Sequence, residues 1–163
     1  MKETASKFQI LLARLAVLLV IAFVILGIAW YGLSEGAFER FWRNLIERPG
    51  GPMTFRFILQ PAMAALAALH DGLRDARTGR SFYLWTVLTS PTDRGGRLYE
   101  GLISTARIIL LGLGMDTIYQ AAVLGTFYPG EAAAIALALG FFPYVILRGP
   151  IARVARWHRG GDA

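Results

Sequence analysis

Residues Leu15–Leu33 read LAVLLVIAFVILGIAWYGL, 19 consecutive positions without a charge. As a helix rising 1.5 Å per residue, the stretch is about 28 Å long, matching the roughly 30 Å hydrocarbon core of a bilayer. Lys2, Lys7 and Arg14 precede it in the manner of a signal peptide. The run is too long for one, and no A-x-A-like site follows Ala29-Trp30-Tyr31, so an uncleaved anchor is expected. Trp30 and Tyr31 fall at its far end, where amphipathic rings favour the headgroup region.

The composition extends this reading to the whole chain. Of 163 residues, 55% are hydrophobic and 17% charged, and the mean hydropathy is +0.48. Soluble domains carry about 25% charged residues. A chain this small also has too much surface per volume to hide such an apolar fraction from water. Disorder, a fibrous repeat and an ordinary soluble enzyme are therefore excluded. The expectation is an all-α polytopic membrane protein, one integral domain with three or four transmembrane helices plus interfacial amphipathic helices. Cysteine is absent, which excludes disulfides, thiolate metal sites and a cysteine nucleophile.

Expected spans are 15–33, 53–69, 102–124 and 132–147, with interfacial segments at 35–48 and 151–159. In the first interfacial segment Phe38, Phe41, Trp42, Leu45 and Ile46 recur at helical spacing among charges, the pattern of a helix lying on a membrane. Pro49-Gly50-Gly51-Pro52 then breaks the chain. The second apolar run is short and contains Gln60 and Pro61. It is apolar all round, so it reads as a thin span or a re-entrant segment rather than a surface helix. Ser90-Pro91-Thr92-Asp93 is a helix start, weakened by Gly95-Gly96. Pro143 is expected to kink the fourth span, and Arg148-Gly149-Pro150 to end it.

The formal charge of +6 comes from 17 Lys and Arg against 11 Asp and Glu. These basic residues lie between apolar runs, which favours anionic lipid at a cytoplasmic surface over nucleic acid. Five arginines (Arg74, Arg77, Arg80, Arg94 and Arg97) fill the central polar stretch, and Arg148, Arg153, Arg156 and Arg159 fill the tail. Arg74, Arg77, Arg80 and the four tail arginines are the candidate contacts for lipid headgroups or a partner. Both segments are expected to be cytoplasmic, the C-terminus with them, while the link Gly125–Glu131 faces away. Counting basic residues does not decide the side of the N-terminus. A spanning second run gives 12 inside against 4, and a re-entrant one gives 13 against 3.

Asp116 is the most informative residue, because it lies near the middle of the 102–124 run. An ionisable group there costs about 2.5–3.5 kcal/mol on insertion scales, so it is a functional candidate by default. Tyr119 and Gln120 share its helix face, and Gln60 lies at similar depth on a spanning second run. This intramembrane polar cluster reads as a clamp between helices or as a proton or ion pathway. Arg107 faces the other side of that helix and can snorkel toward the cytoplasmic end. Ala132, Ala136 and Gly140, with Gly112 and Gly114, have the small-residue spacing that lets helices approach closely, within one copy, in a homo-oligomer or against a partner.

His70 and His158 form no metal-binding spacing, and no P-loop or G-x-S-x-G occurs. No catalytic residue, metal or cofactor is expected.

Five stretches carry a family resemblance: Arg56-Phe57-Ile58-Leu59-Gln60-Pro61, Asp71-Gly72-Leu73-Arg74-Asp75-Ala76-Arg77, Met115-Asp116-Thr117-Ile118-Tyr119-Gln120, Tyr128-Pro129-Gly130-Glu131-Ala132 and Leu147-Arg148-Gly149-Pro150. Over roughly residues 56–157 the chain resembles a family of small, uncharacterised bacterial inner-membrane proteins. The resemblance implies a bacterial inner (cytoplasmic) membrane and carries no activity. The functional expectation is a structural or accessory protein that packs with itself or with a larger membrane complex. The alternative is an oligomeric transporter or proton-coupled channel using Asp116.

Overall fold

The computed structural model describes residues 5–47, 50 and 54–160, apart from the side chains of Leu45, Arg159 and Gly160. Among the described residues seven α-helices run α1 (Lys7–Tyr31), α2 (Glu35–Glu47), α3 (Arg56–Arg77), α4 (Tyr83–Thr89), α5 (Pro91–Tyr119), α6 (Pro129–Gly140) and α7 (Phe142–Gly160), with a π-helical turn at Gln120–Leu124 after α5. No strand occurs among the described residues. Three helical segments are long and apolar enough to cross a membrane: Lys7–Tyr31, Pro91–Leu124 and Pro129–His158.

Small residues bring these segments together. Ala13 and Ala16 of α1 pack with Ala106, Ile109 and Leu113 of α5 and with Ala133 and Ala136 of α6. Gly112 has no room for a side chain, because a Cβ there would meet the Gln60 amide and lie 3.1 Å from the backbone of Ala136. Ala132, Ala136 and Gly140 are all buried, so their spacing serves packing within the chain. Gly114, by contrast, faces open space.

The second apolar run departs from expectation. Helix α3 is 22 residues long and continues through His70–Arg77. Nor is it apolar all round: Arg56, Gln60, Ala64, Ala68, Gly72, Asp75 and Ala76 form one buried stripe at helical spacing. Reading only hydropathy hid that stripe, because its members are small or polar. Met53, the expected start of this run, lies outside the described residues.

Two further expectations are corrected. The tail 151–159 is not a separate interfacial helix but the continuation of α7, which passes through Pro150. Contact with α3 overrides the local breaker: a Cβ at Gly72 would sit 3.0 Å from the Arg148 carbonyl and 2.8 Å from the Ile151 Cγ2. The break in the last segment falls at Phe141, just before Pro143. Helix α5 starts at Pro91, where Ser90 occupies the cap position without a side-chain hydrogen bond.

Helix α3 runs the length of the bundle antiparallel to α5. Arg56 and Asp116 meet at one end, and Asp75 and Arg97 meet at the other. The partners on each helix are nineteen positions apart, about 28 Å of helix axis. Helix α2 reaches the bundle near the first end through Asn44 and Arg40 at Glu131, and α4 packs against α5 and α7 at the second.

Candidate functional site

At the α2 end, Asp116 is fully buried, at 0% exposure, and Arg56 at 1%. An Arg56 Nη2 hydrogen bond and ion pair reaches one Asp116 oxygen. The Gln120 amide donates to the other at 2.6 Å. This amide also donates to the Tyr128 carbonyl at 3.2 Å, and its oxygen accepts from the Tyr128 backbone N–H. Gln120 thus ties Asp116 to the link between α5 and α6. The Tyr119 ring lies 5.2 Å from the Arg56 guanidinium.

Of the four residues expected to cluster, Asp116, Tyr119 and Gln120 do so around Arg56. Gln60 lies one turn along α3 and donates to the Ile108 carbonyl at 3.5 Å. Gln60 Oε1 and Arg56 Nη1 are buried without a hydrogen-bond partner. The sequence reading missed Arg56, because its pairing depends on a residue sixty positions away.

A second polar group lies beside the first. Glu131 of α6 accepts from Asn44 of α2 at 2.9 Å and lies 3.5 Å from Arg40 Nε. The Arg40 guanidinium is held against two rings, 5.1 Å from the Tyr31 centroid and 4.6 Å from that of Tyr128. Next to it a cavity of about 670 Å³ opens between α1, α2 and the start of α6.

The α4 end carries a larger network. Asp75 accepts from Arg97 Nη1 at 3.1 Å and from Arg148 Nε at 2.8 Å. Arg148 also donates to the Tyr144 hydroxyl, which in turn donates to Asp71 at 2.7 Å. Ser104 donates to the same Asp71 oxygen at 2.6 Å. The Tyr83 hydroxyl donates to the Arg97 carbonyl at 2.9 Å, and its ring lies 4.5 Å from the Arg148 guanidinium. Burial pushes the Tyr83 hydroxyl up to about 12. Toward solvent, Arg80 and Glu100 form a paired contact at 2.8 and 3.2 Å, and that hydrogen bond raises the Arg80 pKa. Arg80, Ser81, Arg97 and Glu100 line a polar cavity of about 360 Å³.

Arg148 is thus corrected from a headgroup contact to an internal one: it is 3% exposed and spent on Asp75. Arg80 is also spoken for, by Glu100. Arg77 and Arg153 are exposed and Arg74 half-buried. Arg153 and Arg156 flank the Phe82 ring at 5.3 and 4.6 Å. The side chain of Arg159 lies outside the described residues. Arg107 is exposed while Asp116 is buried, so the two do face apart. Asp71, Asp75, Glu100 and the two tyrosines were missed. Extending the 60–64–68 stripe past His70 to 72 and 75 is the signal that points to Asp75.

Among the described residues no cluster of three or more His, Cys, Asp or Glu could hold a metal. No family model, curated protein or solved structure matches the chain.

Proposed function

We propose that this chain is a four-pass protein of the bacterial inner membrane with a structural or accessory role, assembling with a larger membrane complex. The observation that carries this reading is the state of Asp116. A transported ion or proton needs a site that is open in turn to each side, whereas this carboxylate is enclosed and committed to Arg56 and Gln120. Buried groups satisfied by one another hold helices together. The two cavities lie at opposite ends, while the middle of the bundle is filled by close contacts such as Gly112 with Gln60 and Ala136.

The length of α3 between its two ion pairs supports it as the fourth crossing, joining the three segments that qualify by length and hydropathy. Both termini then lie on one side. The excess of arginine at the α4 end supports a cytoplasmic assignment for that side and for the C-terminus. The resemblance over residues 56–157 supports the inner membrane.

A second reading, a proton-coupled channel, draws on the unpartnered Gln60 Oε1 and Arg56 Nη1. Such buried polar atoms suit an internal water. Gentle purification from native membranes, with mass and stoichiometry measured, separates the two. A stoichiometric larger partner supports the accessory role. A clean homo-oligomer whose ion flux in vesicles is abolished by Asp116→Asn overturns it.

A further inference from the structure

We propose that Arg153 and Arg156 of α7, both held on the ring of Phe82, form a binding site for the phosphate of an anionic phospholipid. The inference rests on the chain spanning a membrane and is independent of any accessory role. The two residues are one turn apart on α7, where neighbouring side chains start about 5–6 Å apart at Cβ. Their guanidinium carbons lie 5.3 and 4.6 Å from the centre of the Phe82 ring, within the range of a cation–π contact. Phe82 stands at the entrance to α4, so one half-buried ring gathers two like charges at one place.

What sets this pair apart is the lack of a countercharge. Other arginines at the α4 end meet carboxylates: Arg97 and Arg148 share Asp75, and Arg80 pairs with Glu100. Helix α7 contains no Asp or Glu. Among the described residues Arg153 makes no hydrogen bond or ion pair. Arg156 donates only from Nε, to the Ala152 carbonyl at 3.2 Å. Its Nη2 is buried without a partner, so the donors open to a ligand are the fork of exposed Arg153 and Arg156 Nη1. Two adjacent cations with unused donors suit a shared anion, and guanidinium forks match phosphate oxygens. The surroundings fit a lipid rather than a soluble anion. Val154 and Trp157 lie between and beside the two arginines in sequence, and both are exposed, as is Trp85 of α4. Indole rings next to arginines are the composition of the headgroup level, where the ring meets acyl chain and the cation meets phosphate. A zwitterionic headgroup would bring a third cation to the pair. An anionic one brings none, and charge complementarity selects it.

The test exposes the full chain, purified in detergent, to equal amounts of glycerol-headed (anionic) and choline-headed (zwitterionic) phospholipids with identical acyl chains. Native mass spectrometry then counts the lipids retained. The anionic lipid is expected in preference. Arg153→Gln with Arg156→Gln should weaken its retention about 25-fold, at about fivefold for each basic contact. Arg94→Gln with Arg107→Gln removes the same charge from two exposed arginines elsewhere and should leave retention in place. Phe82→Leu keeps every charge but removes the ring that positions two of them, and retention should fall. Thermal unfolding at the wild-type temperature shows that the glutamine variants keep the bundle. Resistance to carbonate extraction reads the spanning segments separately, so loss of the site and failure of the span are told apart. Equal loss in the two glutamine double variants would mean a diffuse field instead of a site and would overturn the proposal. Retention without headgroup preference, retention unchanged by Phe82→Leu, or displacement of the lipid by inorganic phosphate would overturn it as well.

Discussion

The bundle has a polar layer at each end, and the two are built differently. At the α2 end Arg56 meets the carboxylate of Asp116, to which the neutral amide of Gln120 also donates. At the α4 end two buried arginines, Arg97 and Arg148, converge on the single buried carboxylate of Asp75. Tyrosines and a rim of Arg80 and Glu100 surround that contact. The first layer joins α3 to α5 and the link that follows. The second joins α3, α5 and α7, so one residue there locks three helices. The contrast teaches that the cost of losing a carboxylate depends on how many cations lose their closest partner: without Asp75, Arg97 keeps Glu100 at 3.6 Å, and Arg148 keeps Glu100 at 3.4 Å and Asp71 at 3.9 Å.

The sharpest way to break the comparison is Asp75→Leu, which leaves both Arg97 and Arg148 buried without their carboxylate. Breaking one buried pair costs about 3–5 kcal/mol. Asp75→Leu is therefore expected at or above the upper end, with loss of folded protein in detergent as the readout. Arg56→Leu should cost less, about 3 kcal/mol, because Gln120 still donates to Asp116. Pairing it with Asp116→Leu should recover most of the loss in thermal unfolding, and failure to recover removes the claim that the two act as a unit.

Packing gives the next effect. Gly72→Val presses into Ile151 and the Arg148 carbonyl, and overpacking of this kind costs about 1–3 kcal/mol. The same change at Gly114, which faces open space, should be near neutral. Equal effects at the two glycines would remove the claim that α3 and α7 meet closely.

The smallest effect is at Tyr83. Tyr83→Phe removes the hydrogen bond to the Arg97 carbonyl, worth about 1 kcal/mol. Its sign with pH is specific. Burial raises the hydroxyl from its ordinary value of 10.0 to about 12, so the folded chain holds this proton more tightly than the unfolded one. That contribution is complete below pH 10 and is lost as pH rises toward 12. Alkaline unfolding curves of wild type and Tyr83→Phe should converge over that window.

What lay in the sequence and what did not divides along the same lines. Leu15–Leu33, the surface pattern of Glu35–Glu47 and the start at Pro91 were legible because each is set locally, by hydropathy, period or a proline in the first helical turn. Asp116 announced itself by sitting in an apolar run, and Gln120 by sharing its face. Only tertiary structure supplied Arg56 as the partner of Asp116 and Arg97 and Arg148 as those of Asp75. It also carried α7 through Pro150 and made Arg148 internal. The physical reason is that solvation and helix period act over a few neighbouring residues. Charge neutralisation in a buried layer is settled between residues 22, 60 and 73 positions apart, once close packing at Gly72 and Gly112 has fixed which helices meet.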